Sequence, residues 1–332
     1  MLGLWAFFKT NEISGPTFEP IIAECTNPDY SSAADFASKT GYHVYESKVG
    51  FGVFNFLVCL ITQFLLELRE TYPAGILVWG GVVLVSFQAS MLIFIEAGRS
   101  TGARGPIRLS FVFPLVFGLL SQLIGVSVVF PLIWAPSYIL GRGSGPITNF
   151  RANASVLLCL PTLFLTGVVF GASNTDSYLW TLCAGILGGP IIALSGLIFW
   201  RDVPPPPTVE NIQASMEGIE KALRFMTVVG SIGWYVLVFI VFDWYSIGDI
   251  FAGKIWEDIW VNANTSVAFM TIDTGVFYLA TLLCIAYQSK NKAIKMVMLT
   301  PIMGPAAASW VTAELEENRY EQLDCEKKDK EM

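Results

Sequence analysis

The chain is poor in almost everything that polar catalysis draws on. It has one histidine, His43, so histidine-based acid–base work and metal ligation by histidine clusters fall away. Its six cysteines are scattered with no CxxC, and Cys59, Cys159, Cys183 and Cys284 lie in apolar runs, where cysteine acts as a small hydrophobe. Neither a disulfide framework nor a zinc site is expected. There is no GxGxxG after a strand, no phosphate-loop lysine, no HExxH and no aspartate-rich diphosphate motif, so no cofactor or metal is expected. Charged residues make up only 14% of the chain, where a soluble domain carries about a quarter.

What is abundant is apolar sequence. Hydrophobic residues are 54% of 332 and gather into stretches of about 20, the length that crosses a bilayer core of about 30 Å as helix. The alternating ten-residue pattern of a membrane β-barrel is missing. The expected fold is all-α, a polytopic transmembrane helical bundle of about eight spans: 49–66, 74–97, 110–140, 154–172, 178–200, 225–243, 265–287 and 293–313. Residues 1–48 read as a polar N-terminal segment and 49–313 as the membrane domain. Residues 201–224 form a loop stiffened by Pro204–Pro207, and 314–332 a charged, disordered tail. The net charge of −7 collects at the two ends, which excludes a nucleic-acid surface. Pro114, Pro131 and Pro136 make 110–140 a kinked or re-entrant segment, crossing once or twice.

Two carboxylates stand out. Glu96 closes the run Ile76–Ala97 and Asp273 lies inside Val267–Ala286. An acid in hydrocarbon costs several kcal/mol unless paired, hydrated or protonated, so it is a functional candidate by default. Asp273 has no basic residue within two turns of its own helix, whereas Glu96 has Arg99 one turn away. If 110–140 crosses once, Glu96, Asp243 and Asp273 share one membrane half, in a pocket acidic at depth and rimmed by Arg99, Arg104 and Arg108. If it crosses twice, Asp243 and Asp273 move to the other half and the pocket dissolves. Asp243 also reads as a helix-end acid reaching headgroups, and Gln122 as a helix–helix contact. Trp79, Trp234, Tyr235 and Tyr278 lie deep enough to face a cation, although core packing is the commoner role of such rings.

The chemistry left open is proton delivery by a carboxylic acid in a dry, aromatic-lined cavity. Burial disfavours the ionised form, and a protonated acid can attack an epoxide or alkene while aromatic walls stabilise the cation. A proton-coupled membrane transporter of a hydrophobic metabolite uses intramembrane acids too, and is the rival reading. No internal repeat supports it.

The segment Glu96-Ala-Gly-Arg-Ser-Thr-Gly-Ala-Arg-Gly-Pro106 resembles the acid and Arg/Gly-rich loop of fungal integral-membrane terpene cyclases of meroterpenoid pathways, the ascochlorin/ascofuranone type. The run Pro114–Gly125 with Pro131, the late Asp273, and Gly304-Pro305-Ala-Ala-Ala-Ser-Trp310 are similar to the same family. The resemblance covers residues 75–140 and 265–315. It implies a metal-independent cyclase in the endoplasmic reticulum membrane acting on a farnesylated aromatic with a terminal epoxide. An intramembrane acid opens the epoxide, the prenyl chain closes on the cation, and a second acid or water takes the last proton. The resemblance assigns the acid roles to Glu96 and Asp273, with Asp243 as helper. Expected partners are this epoxyfarnesyl substrate and membrane lipids. The chain departs from smaller members of the wider group in its length and polar N-terminal segment.

Overall fold

The computed structural model describes residues 1–26, 67–97, 124–141, 208–262 and 265–331, with a few isolated positions between them, and these are helical with no strand. The elements are α1 (Leu2–Thr26), α2 (Ala74–Ala97) and α3 (Val126–Val129), which passes through a π-helical turn (Phe130–Trp134) into α4 (Ala135–Gly141). Then come α5 (Val209–Trp244), α6 (Ile247–Phe251), α7 (Lys254–Trp260), α8 (Thr265–Gln288) and α9 (Lys290–Met303), joined by a 3₁₀ turn (Gly304–Ala306) to α10 (Ala307–Glu331). Among the described residues, three helical stretches have the length and composition to cross a membrane: Glu210–Trp244, Thr265–Gln288 and Lys290–Glu321, the last of them reversing at Gly304.

Helix α5 starts earlier than the expected loop 201–224 allows. The Thr208 side chain accepts the Asn211 N–H at 3.3 Å, capping a helix of 36 residues. Pairs one turn apart, Glu217–Lys221 and Glu220–Arg224, line its polar first half. At about 1.5 Å per residue it is some 54 Å long, so that half projects beyond a bilayer core. From Val209 onward the expected loop belongs to the helix.

Packing fixes directions. Gly80 lies against Leu237, Leu84 against Gly233, and Gln88 against Gly230, so α2 and α5 run antiparallel. Gly81 lies beside Thr274, and Tyr72 stands edge-on to Trp244 with ring centroids 4.9 Å apart. Glu67, just before α2, accepts the Ser266 hydroxyl at the start of α8. Helices α2 and α8 therefore start at the same end of the bundle, where α5 finishes. Helix α1, on residues expected to be polar and outside the bilayer, packs on α8 through Ala6, which is buried with Val128, Ile272 and Val276.

The last expected span, 293–313, is not one crossing. Ala293 and Met296 share a buried cluster with Ala307, Val311 and Leu315, and Lys292 pairs with Glu314 at 2.5 Å. A straight helix would hold residues 22 apart about 33 Å from each other, so α9 and α10 form an antiparallel hairpin. Its tip is Gly304, at φ 59° and ψ −148°, a region open essentially to glycine. A Cβ there would fall 2.5 Å from the Trp234 ring. The Trp234 Nε1–H donates to the Pro301 carbonyl at 3.3 Å, and the Ser309 hydroxyl donates to Gln88, anchoring both arms. Hydropathy carries no direction, so the hairpin reads as a span.

The expected tail at 314–332 is corrected as well, since α10 continues unbroken to Glu331. Tyr320 on this stretch is buried against Ser215, at 2.9 Å. The third expected span is interrupted at Gly125, φ 90°. Most of 49–66, 154–172 and 178–200 lie outside the described residues. Cys25 is disulfide-bonded, contrary to the expectation from dispersed cysteines, because sequence spacing does not tell which residues meet in space.

Candidate functional site

The break at Gly125 creates the most unusual polar contact in the bundle. Gly125 turns the chain so that α3 begins with free amides, and a glycine has no side chain to cap them. The cap comes from another helix. Asp273, only 6% exposed, accepts the backbone N–H of Ser127 through Oδ1 at 3.2 Å. Ser127 is the second residue of α3, and an N-cap aspartate would serve the same amide from within its own helix. The helix dipole adds a favourable field for negative charge at this point. No basic side chain pairs with Asp273 among the described residues, and the Ser127 hydroxyl lies beside it.

Aromatic residues flank the carboxylate on its own helix. Phe269, one turn before, stands edge-on to Phe64 at 5.7 Å and lies within 4.0 Å of where a Cβ on Gly125 would sit. Phe277, one turn after, meets Phe130 at 4.7 Å. From there a stack runs along the π turn: Phe130 on Trp134 at 4.7 Å, then Trp134 on Tyr138 at 5.0 Å. Such turns widen a helix by one residue and concentrate at functional positions. Trp134 is fully buried, and its indole N–H has no hydrogen-bond partner among the described residues. The arrangement places a carboxyl group able to transfer a proton beside aromatic rings that stack on one another.

The other expected site residues disperse. Glu96 is in the last turn of α2, and its side chain lies outside the described residues. It follows Gly81 by 15 residues, about 22 Å of rise, and Gly81 is level with Thr274. The Glu96 position therefore lies in the opposite half of the bundle from Asp273, apart from where a single crossing of 110–140 would bring it. Asp243 is in the same half as Asp273 but exposed at the end of α5. Trp79 is buried core, Trp234 packs under the hairpin tip, and Tyr235 faces outward. The Tyr278 hydroxyl bonds the Thr300 hydroxyl on α9. Arg99 and Gln122 lie outside the described residues.

Gly125, Ser127 and the Phe130–Tyr138 stack were missed as site residues. The signal available for them was the glycine ahead of a proline-bearing apolar run; nothing in the sequence links that glycine to residue 273. Among the described residues, no three His, Cys, Asp or Glu side chains converge as a metal site would require.

Compared with known proteins, the chain matches no family model, no curated relative and no solved structure.

Proposed function

We propose that this protein is a membrane-embedded terpene cyclase in which Asp273, without Glu96 as its partner, delivers the initiating proton. The observation behind this reading is a buried carboxylate held by a backbone amide, free of any described cation, between Phe269 and Phe277. The substrate class comes from the resemblance of the Glu96–Pro106 and Pro114–Pro131 segments: a farnesylated aromatic with a terminal epoxide.

In this reading Oδ1 stays on the Ser127 amide and Oδ2 carries the proton. Transfer to the epoxide oxygen opens the C–O bond and leaves a tertiary cation. An alkene of the prenyl chain attacks it, the ring closes, and the new cation is stabilised by aromatic faces. Water takes the last proton and Asp273 is reprotonated, so the reaction is an isomerisation needing neither metal nor nucleotide. The chain would reside in the endoplasmic reticulum membrane with about eight apolar segments, the last of them folding back.

A proton-coupled transporter is the second reading, favoured by one observation. Two helices break at glycines inside the bundle, and discontinuous helices are the geometry in which transporters hold substrates and coupling ions.

One variant separates the two. Asp273→Asn keeps an oxygen for the Ser127 amide while removing the acid. Membranes carrying the unaltered chain are expected to convert an epoxyfarnesyl phenol to a cyclic isomer in the presence of a chelator. Asp273→Asn should lower that rate by about 10²-fold or more. Full turnover in the variant would remove Asp273 from the chemistry. No product from the unaltered chain, with proton-driven uptake into liposomes that Asp273→Asn abolishes, would establish the transporter.

A further inference from the structure

The stretch between α5 and α8 is built inside out for a protein surface in water. Some of its polar groups are satisfied inward. Tyr245 is buried and its hydroxyl donates to Asp258 Oδ2 at 2.9 Å, while Asn262 donates to Asp258 Oδ1 at 2.9 Å. Burial, and then the Asp258 carboxylate, push the Tyr245 hydroxyl above the usual phenol range, so it remains a donor. Ser246 and Asp249 close a capping box on α6, and Gly253, at φ 80°, turns the chain into α7. Ile259 fills the space beneath.

Large apolar side chains dominate the outward side, beside the exposed Lys254 and Glu257. Phe251 is 87% exposed and Trp256 62%, with Ile247, Trp260 and Val261 also open. Contiguous exposed aromatics of this kind mark a surface that is covered by something. The covering material is indicated by continuity. The outer face of α5, through Ile232, Val236 and Phe239, is exposed and apolar along a stretch fit to cross a membrane, and it leads directly to Trp244. Trp and Tyr concentrate where hydrocarbon gives way to headgroups, and Trp244 with Tyr72 stands at this end.

We propose that α6 and α7 form a shelf lying in the lipid headgroup boundary, with Phe251, Trp256 and Trp260 inserted between lipids. The occupant is phospholipid, not another protein. The shelf would set how deep the bundle sits. Asp273 is eight residues into α8, so it would lie about 12 Å inside that boundary. This inference rests on the membrane placement and is independent of the cyclase reading.

The test uses the full chain in phosphatidylcholine nanodiscs. An environment-sensitive fluorescent amino acid is placed singly at position 251, 256, 232 or 210, all exposed positions. Quenching is read with lipids carrying a nitroxide either high on the acyl chain or near its methyl end. Positions 251 and 256 should be quenched about twofold or more strongly by the shallow nitroxide, as expected for side chains buried about 5–10 Å into the interface. Position 232 should prefer the deep nitroxide, and 210 neither. Absence of quenching at 251 and 256, with 232 quenched, would overturn the shelf alone. A preference for the deep nitroxide at 251 and 256 would overturn it as well. Absence of quenching at 232 would overturn the membrane placement on which the shelf rests.

Discussion

Among the described residues, two helices of this bundle break on a glycine, and the groups that receive the break differ in kind. At Gly304 the chain reverses around the Trp234 indole, a neutral ring whose N–H satisfies the Pro301 carbonyl. At Gly125 the freed Ser127 amide is satisfied by the carboxyl group of Asp273. A neutral acceptor such as asparagine would serve that amide as well and spare the penalty of placing an acid in apolar surroundings. The carboxyl group is thus more than the architecture needs. Local rules are broken most often where function requires it, and here the hairpin tip reads as construction and the Gly125 break as chemistry.

The contrast can be broken at either glycine. The largest effect is expected from Gly304→Ala, which combines a glycine-only backbone with a Cβ 2.5 Å from Trp234; the loss should be about 3–5 kcal/mol, read as a large drop in thermal midpoint in detergent. An unchanged midpoint would mean the hairpin does not turn there. At the other break, Asp273→Ala leaves the Ser127 amide unreceived and should cost about 1–3 kcal/mol, while Asp273→Asn should stay within about 1 kcal/mol of the unaltered chain. Equal losses in the two variants would show that charge, not hydrogen bonding, holds the break.

The smallest effect comes from a solvent-exposed counterpart. The Ser246 hydroxyl and amide, and Lys254, hold the Asp249 carboxyl below its ordinary range. A carboxylate depressed on folding stabilises above its unfolded value and loses that contribution as pH falls through the folded one. Amide-exchange protection at the start of α6 should therefore be level above about pH 4 and decline below it. Asp249→Asn should flatten the profile, and protection that fell on raising the pH would contradict the sign.

Much of the helical architecture was legible from composition. The run 265–287 coincides with α8, and 74–97 with α2, because an uninterrupted apolar stretch of that length has few alternatives. Asp273 was legible as a buried acid because nothing on its own helix pairs with it. The partner of that acid was not legible, since Ser127 contributes only a backbone amide, a group every residue but proline carries. The expected pairing with Glu96 failed on geometry. It depended on how many times 110–140 crosses, and the contacts that decide direction, such as Gly81 with Thr274, leave no mark in hydropathy. The hairpin is hidden for a related reason: Gly304-Pro305 sits inside an apolar run, and hydropathy does not distinguish a reversal from a crossing.

The reversal at Gly304 also governs bookkeeping across the bilayer. A segment that enters and leaves by one side adds nothing to the parity of crossings. Residues after Thr312 therefore return to the end of the bundle that holds the Ser289 turn, with Glu314 clasped by Lys292 and Lys295 as its signature. A glycosylation or protease-accessibility map that treats 293–313 as a crossing would assign this stretch to the wrong compartment.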